Sequence, residues 1–527
     1  MNRRNFIRTA GTVTVGGLAV RGMSSPLLSA LNNTVAEDRV LVIIQLFGGN
    51  DGLNTVIPTS AYGQLSTLRS QVLIPQGQVL PLSGLTGTGF HPAMTGMQTL
   101  WNEGKLAIVQ GVGYPNPNFS HFRATDIYET GADHDQILYS GWVGRYLNYE
   151  YPNYPVGYPN ETMPHPLAIR VGGGIGGGLQ NMGVNMGVSI NNTNDPLNLT
   201  GNLYVDPVTA DCKGAKLAEV RTIQRQTDLY GNVIEAAASA TCAHSPLYPT
   251  FSTEANRLAQ ALKVVAQLIC GGLKTKIYWV SIGGFDTHAS QVNPGDHTIG
   301  THANLLRAVS DNIRAFQHDM QLMGLQDRVL GMTFSEFGRR ITSNASYGTD
   351  HGSTQPMFLF GTQVLPGMLG TNPVIPANTT SATNLAMQYD FRSVYASVLR
   401  DWFCLPQSAI DSVLLENYQA LNLINGAGCL STDIREANQA AGVELLHAYP
   451  NPFVERTTLE YTTLGGPTML QVFNEQGQLV RLVLNKVMAP GTYKVDVDLG
   501  DMQSGVYYAR LQNGTDQQVR NLLKVRG

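Results

Sequence analysis

The sequence predicts an α/β fold, a mostly parallel sheet flanked by helices, with a small all-β sandwich at its C-terminal end. Three near-continuous apolar runs, at 40–47, 276–282 and 328–334, are typical of strands buried on both faces. Amphipathic helical patterns at 255–269 and 302–323 separate these runs. Because strands that alternate with helices form parallel sheets, we expect a mostly parallel arrangement.

Composition places the chain among globular proteins with little charge. Of its 527 residues, 43% are hydrophobic and 14% are charged, and the formal net charge is −4. This length allows about two to four domains. The sequence has no long basic run and no zinc-finger spacing, so no nucleic-acid partner is expected. No apolar run reaches the length of a transmembrane span.

The N-terminal segment 1–30 is predicted to be a signal peptide of the twin-arginine type. Arg3 and Arg4 precede a short apolar stretch at 10–20, and small residues follow near Ala30, which is the pattern of a cleaved export signal. The arginine pair, followed by an aromatic and an aliphatic residue, resembles a twin-arginine signal. An ordinary Sec leader that contains two arginines is the alternative.

The cysteines are too sparse and too widely spaced for a disulfide scaffold; they are Cys212, Cys242, Cys270, Cys404 and Cys429. Cys212 and Cys242 bracket one segment and are candidates to pair in an oxidising compartment. Unpaired, partly buried thiols are the alternative. The odd number leaves at least one cysteine outside any intramolecular bridge.

Residues 443–527 have the pattern of a small antiparallel sandwich. Short alternating strands are separated by turns, and no helical pattern interrupts them. The preceding segment, 425–442, contains Gly, Ser, Asn and Ala without apolar periodicity, so it is predicted to be a linker. The predicted strands lie at 457–462, 468–473, 479–484, 491–497 and 505–511.

Four short motifs mark this sandwich: YPNPF at 449–453, VFNEQGQLV at 472–480, PGTY at 490–493 and SGVYY at 504–508. Together they resemble the type A sorting domain of the type IX secretion system. The resemblance implies passage across an outer membrane, followed by removal of the module or by anchoring at the cell surface. A carbohydrate-binding sandwich is the alternative.

Each of the three apolar runs ends in an acidic residue beside glycines. Asp51, Asp286 and Glu336 follow the three runs in order, and Asp350 and His351 lie further on in a glycine-flanked loop. In open α/β sheets, ligands bind at the carboxyl ends of the strands. Carboxylates gathered there repel one another unless a cation holds them, so the pattern predicts a divalent metal site. Asp together with His suits zinc or manganese.

Six motifs extend this pattern over most of residues 40–424: GGNDGLN at 48–54, NFSHF at 118–122, SGWVGRYL at 140–147, GFDTH at 284–288, TFSEFGR at 333–339 and TDHG at 349–352. Together they resemble the DUF1501 family. The resemblance implies an alkaline phosphatase-like fold, within the alkaline phosphatase/sulfatase superfamily, over residues 38–424. The segment 150–250 is predicted to be an insertion that caps the site.

The resemblance also implies roles for individual residues. Asp51 matches the metal ligand of the first strand end. Ser120, at the start of a helix, matches the nucleophile, and a plain N-cap is the alternative. Asp286 matches a second metal ligand, with His288 or His302 as the accompanying imidazole.

The last two motifs complete the predicted ligand set. Glu336 stands where the superfamily usually carries an Asp-His pair and is expected to bind metal. Phe337 replaces the imidazole of that pair, so one of two metal sites is expected to be weak or missing. Asp350 and His351 match the late metal-binding motif. The expected cofactor is a divalent metal: zinc, manganese, calcium or magnesium.

The predicted function is an exported, metal-dependent hydrolase of phosphate or sulfate esters, either small molecules or glycan-linked. Asn54 and Arg339 are the candidates for binding the substrate. The alternatives are a turn or helix-cap role for Asn54 and a bracing role for Arg339 in the loop of Glu336.

The expected partners in export are the twin-arginine and type IX secretion machineries, and the expected location is secreted or at the cell surface, reached through the periplasm. Two other functions are possible on the same sequence. One is a non-catalytic surface protein that binds partners on a hydrolase fold, and the other is a glycan-binding adhesin.

Overall fold

The computed structural model describes residues 38–191, 212–249, 254–426, 429, 444–451, 453–463, 465–474, 478–513 and 516–525. The predicted signal peptide at 1–30 therefore lies outside the described residues. So does most of the predicted linker at 425–442.

The large domain is built on a nine-stranded sheet formed by the described residues. Its strands, in chain order, are β1 (Val40–Leu46), β2 (Leu106–Gly113), β3 (Ala168–Val171), β4 (Val188–Ile190), β5 (Ile277–Ile282), β6 (Val329–Phe334), β7 (Gln355–Phe360), β8 (Gly367–Leu369) and β9 (Tyr389–Asp390). The order across the sheet is β8-β2-β7-β6-β1-β5-β3-β4, and β9 pairs with β2.

The sheet is mostly parallel, as predicted. β1 lies at its centre, parallel to β5 on one side and to β6 on the other, with Ile43 opposite both Trp279 and Met332. Within this sheet only β7 runs antiparallel to its neighbours, β6 and β2. The three predicted apolar runs are these three central strands, and every residue of β1 and β6 is buried.

Helices cover both faces of the sheet. In chain order they are α1 (Gly52–Thr55), α2 (Tyr62–Leu68), α3 (Thr95–Asn102), α4 (His121–Thr130), α5 (Trp142–Glu150), α6 (Cys212–Ala238), α7 (Glu254–Cys270), α8 (Thr301–Leu322), α9 (Phe391–Ser397) and α10 (Gln407–Leu414). One core packs α3, α6, α7 and α8 against the face that carries Val42 and Ile44. The other packs α4, α5, α9 and α10 against the face that carries Leu41 and Ile43.

This alternation follows from the geometry of a strand, in which successive side chains point to opposite faces. An all-apolar strand therefore supplies both cores. The two amphipathic helices predicted from the sequence are confirmed as α7 and α8.

Smaller elements surround the sheet. They are a hairpin of Gly338–Ser343 and Thr349–Gly352, a three-stranded sheet of Val56–Ile57, Leu80–Pro81 and Gly89–Phe90, a hairpin of Gln180–Asn181 and Val184–Asn185, 3-10 turns at Thr59–Ala61, Gln76–Gln78, Gly177–Leu179 and Gln326–Arg328, and a π-helical turn at Val398–Trp402.

Several elements within 150–250 belong to the body of the large domain. β3 and β4 belong to the central sheet, and α6 packs beside α7 on its face. Tyr230 and Ile234 of α6 are buried in that core. These described elements complete the sheet and its flanking layer, and a capping role for the segment 150–250 stays a prediction.

The disulfides also differ from the predicted pair. Cys242 is bonded to Cys270, at the end of α7, and Cys404 is bonded to Cys429. The suggested Cys212–Cys242 bridge is therefore wrong, because two packed helices bring residue 270 to Cys242. Cys429 lies in the predicted linker, so the linker is tied to the large domain at that residue.

The C-terminal residues form two antiparallel sheets, which confirms the predicted all-β module. The strands are β10 (Glu444–Tyr449), β11 (Arg456–Thr463), β12 (Gly466–Phe473), β13 (Leu479–Met488), β14 (Gly491–Asp498), β15 (Gly505–Asn513) and β16 (Asp516–Lys524). The sheets are ordered β10-β11-β14 and β13-β12-β15-β16. Leu459 of the first sheet and Leu470 and Leu511 of the second share one buried core.

Within the part of the chain that the structure describes, none of the helices combines the length and the apolar composition that crossing a membrane requires.

Candidate metal centre

The loops that follow β1, β5 and β6 meet at one edge of the sheet. Because the three strands are parallel neighbours, their carboxyl ends lie side by side. Gly48 makes this approach possible. Its φ of +123° is open only to glycine, and a Cβ there would collide with the backbone of Phe285 and Asp286.

A cluster of three side chains lies at this edge: His121, Asp286 and His351. One ligand atom from each lies within 4.8 Å of the others. His121 Nε2 is 3.4 Å from Asp286 Oδ2, and His351 Nε2 is 3.2 Å from Asp286 Oδ1. His121 comes from the first residue of α4, and His351 comes from the second strand of the hairpin.

His288 lies at the rim of the cluster. Its Nε2 is 2.8 Å from His351 Nε2 and 3.2 Å from Asp286 Oδ1. Its imidazole is about half exposed, as is the carboxylate of Asp286. The structure thus brings Asp286, His288 and His351 together, as the sequence predicted, and adds His121.

Each of the three imidazoles is held through its Nδ1 atom. His121 Nδ1 is 2.7 Å from Glu336 Oε1, His351 Nδ1 is 2.8 Å from the carbonyl oxygen of Phe119, and His288 Nδ1 is 3.1 Å from Asp350 Oδ1. The Phe119 carbonyl accepts only, so His351 Nδ1 carries the proton. A metal-binding histidine is oriented in the same way, by donating its other N–H to a carboxylate or a carbonyl.

With Nδ1 protonated, a neutral imidazole presents a lone pair at Nε2. Lone pairs of His288 and His351 that face each other at 2.8 Å repel unless a cation or a proton lies near them. His121 Nε2 is buried and has no hydrogen-bond partner among the described residues. Tetrahedral ligand atoms about 2.1 Å from a metal lie roughly 3.4 Å apart. The distances from His121 Nε2 and His351 Nε2 to the oxygens of Asp286, 3.4 and 3.2 Å, are close to this value.

The electrostatics of the cluster favour the same conclusion. Burial tends to raise the pKa of Asp286, but the hydrogen bond from Arg339 and the charge of its guanidinium outweigh this effect and lower the pKa to about 2. Burial lowers the pKa of His351. The hydrogen bond to Glu336 raises the pKa of His121. The site therefore combines an ionised carboxylate with one imidazole whose protonation is disfavoured by burial and one, His121, whose protonation is favoured by its acidic neighbour.

Glu336 lies behind His121 and does not reach the cluster as a fourth ligand. Its side chain is fully buried, and Oε1 accepts from the backbone N–H of Gly48 at 2.8 Å as well as contacting His121. Oε2 accepts from the hydroxyl of Ser335 at 3.2 Å. Glu336, which the sequence predicted to bind metal, thus orients the imidazole of His121. The ring of Phe337 packs against the imidazole of His121, with centroids 4.8 Å apart.

Arg339 braces the loops and is not available to a substrate. It is 1% exposed. Its guanidinium donates to the carboxylate of Asp286 at 2.8 Å and to four backbone oxygens, those of Gly48, Gly49, Phe285 and Thr349. Of the two roles predicted for Arg339, the contacts favour bracing over substrate binding, because every guanidinium nitrogen is already engaged inside the protein.

Asp350 contacts the cluster only through His288. Its carboxylate accepts from Asn344 and lies against His288 Nδ1. Burial tends to raise its pKa, but the hydrogen bonds from His288 and Asn344 lower it. Asp350 therefore orients an imidazole in the way that Glu336 does.

Asp51, predicted as a ligand, lies in a buried polar network instead. It is 1% exposed, forms an ion pair with Arg69, and accepts from Gln291 Nε2 at 2.6 Å. Although burial favours its neutral form, the charge of Arg69 lowers its pKa below the usual value. The arginine occupies the position next to the carboxylate, which is the physical reason that Asp51 does not join the cluster.

Two other predicted residues lie in the same buried region. His302 Nε2 is 3.0 Å from Asn50 Oδ1, and burial lowers the pKa of His302 to about 4. Asn54 Nδ2 donates to the carbonyl oxygen of Val72 at 2.7 Å. Both are buried, so the predictions of a ligand and of a substrate contact were wrong. Of the two predicted imidazoles, His288 lies at the cluster and His302 does not.

Ser120 occupies the N-cap position of α4, but its side chain makes no capping hydrogen bond. It is exposed and directly precedes His121. Ser120 is therefore an exposed residue at a helix N-terminus, next in the chain to a member of the cluster.

His121 is the residue that sequence reasoning missed. It lies inside the NFSHF motif, next to Ser120, the predicted nucleophile. An imidazole at the start of a helix that follows a buried strand was the available signal. Sequence alone does not show which sheet edge that helix approaches.

Two stretches of the chain match known families. Residues 252–414 match the family described as Protein of unknown function (DUF1501), and residues 447–525 match the Secretion system C-terminal sorting domain. No curated protein matches the chain.

Two solved structures are similar to the chain, and both likenesses are weak. One is a protein in the alkaline phosphatase superfamily from Vibrio parahaemolyticus, with 9% identity and a TM-score of 0.29 over 92% of this chain and 82% of that chain. The other is Ps i-CgsB in complex with k-i-k-neocarrahexaose, with 10% identity and a TM-score of 0.30 over 92% of this chain and 86% of that chain. At these TM-scores neither carries an argument about fold or activity.

The sorting domain marks a protein that the type IX secretion system handles and that is secreted or held at the cell surface. The two predicted resemblances are therefore confirmed over these residues, with the DUF1501 match covering the later part of the predicted 38–424 domain.

Proposed function

We propose that the protein is an exported hydrolase that uses one divalent metal ion, held by His121, Asp286 and His351 with His288 beside them, to cleave phosphate or sulfate esters. The observation that carries the proposal is the convergence of the imidazole Nε2 atoms on one ionised carboxylate, with each Nδ1 already tied to an acceptor.

The residue types in the cluster suit a divalent metal ion. Two or three imidazoles and one carboxylate are ligands that suit zinc, manganese or a similar ion. The Nε2 atom of His121 supports the fit, since it is buried, makes no hydrogen bond among the described residues and faces Asp286 Oδ2 at 3.4 Å. When bound, such an ion polarises the ester and lowers the pKa of a coordinated hydroxyl group or water.

Ser120 is the proposed nucleophile. Its hydroxyl is not used to cap α4, it is exposed, and it adjoins a ligand in the chain. The N-terminus of α4 presents backbone N–H groups with partial positive charge, which favours an anionic phosphate or sulfate group there. Small-molecule and glycan-linked esters are both within the proposed substrate class.

The proposed route of export begins with the twin-arginine machinery and crosses the periplasm before the type IX step. Arg3 and Arg4 in the N-terminal sequence support this route. A folded chain could then receive its metal before export.

Elemental analysis of the purified full-length protein tests the metal. We expect about one equivalent of zinc or manganese per chain in the wild type, and a loss of that metal in His121→Gln and in His351→Gln. His134→Gln, which changes a partly exposed histidine outside the cluster, is the matched control and should retain it.

Hydrolysis of p-nitrophenyl phosphate and p-nitrophenyl sulfate tests the activity. Ser120→Ala should keep the metal and lose turnover. A folded wild-type protein without metal above background would refute the proposal, and bound metal without turnover on any ester would favour a non-catalytic surface protein.

A further inference from the structure

We propose that Asp51 and Gln291 are positioning residues that fix the two ligand-bearing segments of the metal centre, 285–288 and 349–351. The connection to metal binding rests on the proposed function. The positioning itself is argued from contacts within the protein chain.

Gln291 connects the two segments. It is fully buried, and its Oε1 atom accepts from the hydroxyl of Thr287 at 3.1 Å and from the hydroxyl of Thr349 at 2.7 Å. Thr287 lies between Asp286 and His288, and Thr349 lies two residues before His351. One amide oxygen therefore fixes the positions of the two ligand-bearing segments relative to each other.

Asp51 fixes the other end of this amide. Its Oδ2 atom accepts from Gln291 Nε2 at 2.6 Å, which determines how the amide is turned and keeps Oε1 aimed at the two threonines. The backbone of the same residue is also tied to the hairpin, since the N–H of Gln291 donates to the carbonyl oxygen of Tyr347 at 2.8 Å.

Arg69 extends the contacts to the first strand of the hairpin. It pairs with Asp51 and donates to the carbonyl oxygens of Arg340 and Ile341, each at 3.0 Å. Asp51 is thus linked to both strands of the hairpin that carries His351, and to the loop that carries Asp286.

These contacts separate a positioning role from a ligand role. An arginine bound to Asp51 opposes a divalent cation at the same carboxylate. Partners that orient metal ligands typically change metal affinity by 10- to 100-fold when they are removed, whereas loss of a ligand abolishes the site.

Hydrogen exchange of the metal-free, full-length protein tests the positioning directly. The variant is Thr287→Val together with Thr349→Val, which removes both donors to Gln291 with little change in shape. Thr275→Val is the matched control, because this buried hydroxyl donates one hydrogen bond at the opposite end of β5. We expect backbone amides of 285–291 and 347–352 to exchange about tenfold faster in the double variant only.

The expected exchange result supports the inference, and unchanged exchange in a folded double variant overturns it. If the double variant does not fold, Thr349→Val alone is measured against the same criterion. Because no metal is present, a failure of the proposed metal binding does not affect this outcome.

Zinc affinity distinguishes a positioning role for Asp51 from a role as a metal ligand. We expect the double variant to bind zinc about 10- to 100-fold more weakly. We also expect Asp51→Asn, which keeps an acceptor for Gln291, to retain zinc. Zinc loss in Asp51→Asn as complete as in His351→Gln, with the fold intact, would overturn the positioning role and make Asp51 a ligand.

Discussion

Two acidic residues that look alike in sequence occupy opposite environments at the same edge of the sheet. Asp51 and Asp286 each follow a pair of glycines after a buried strand. Asp286 is half exposed among three imidazoles, whereas Asp51 is buried against Arg69. The comparison shows that a position at the end of a strand brings a carboxylate to the edge of the sheet. Whether that carboxylate is buried in an ion pair or exposed beside imidazoles depends on side chains from other parts of the chain.

We therefore distinguish an exposed cluster, consisting of His121, Asp286, His288 and His351, from a buried cluster, consisting of Asp51, Arg69, Gln291 and His302. Substitutions in the buried cluster should cost stability. Substitutions in the exposed cluster should cost metal binding and leave the stability of the metal-free protein nearly unchanged.

The largest effect on stability is expected for Arg69→Met. It leaves the Asp51 carboxylate buried and unpaired, and breaking a buried ion pair in this way costs about 3–5 kcal/mol. Chemical denaturation monitored by circular dichroism measures the free energy of unfolding. The double variant Arg69→Met with Asp51→Asn should be more stable than the single variant. A cost below about 1 kcal/mol, the level of an exposed pair, would show that the two clusters do not differ.

Acid should destabilise the protein through His302. Its pKa is lowered to about 4 by burial, from an ordinary value of about 6.5, so the unfolded chain binds the proton more readily between these values. The stability is complete above about pH 6.5 and falls as the pH decreases toward 4, by at most about 3 kcal/mol.

Denaturation curves between pH 4 and pH 8 check this dependence. His302→Gln should have a shallower pH dependence than the wild type. His91, which burial also makes less basic, with a pKa of about 3, should account for part of the remaining slope. An identical slope in wild type and His302→Gln would contradict the prediction.

In the exposed cluster, His351→Gln should remove the bound metal and change the metal-free stability by less than about 1 kcal/mol, as for many substitutions away from the core. Equilibrium dialysis against zinc and denaturation in chelator measure the two quantities. A large loss of metal-free stability would show that this cluster also supports the fold.

The smallest effect on stability is expected for Ser120→Ala. Replacing a serine that caps a helix typically costs about 1 kcal/mol, but this hydroxyl makes no capping bond, so the change should stay below about 0.5 kcal/mol. Thermal denaturation measures the stability of the variant, and an ester assay on the same preparation measures its turnover. Lost stability with unchanged turnover would return Ser120 to the role of a plain N-cap.

Local patterns were sufficient to predict the central strands and flanking helices. β1, β5 and β6 are apolar on both faces, and α7 and α8 are amphipathic, so each element is encoded in its own residues. The same holds for the C-terminal strands, whose burial alternates along the chain.

The candidate site was only partly predictable, because it depends on pairings over long separations in sequence. The partner of Asp51 is 18 residues away, and the carboxylate that orients His121 is 215 residues away. Arg339 looked available to an anion, and only the assembled loops show that its N–H groups are engaged. Cys242 pairs with Cys270 for the same reason, since helix packing decides the partner.

Anomalous diffraction at the zinc absorption edge, on crystals of the full-length protein grown with zinc, tests the central claim most directly. The account predicts one strong peak about 2.0–2.2 Å from His121 Nε2, His351 Nε2 and a carboxylate oxygen of Asp286, with none beside Asp51. A peak bound to Asp51, or no peak at the cluster in a well-ordered crystal, would contradict it.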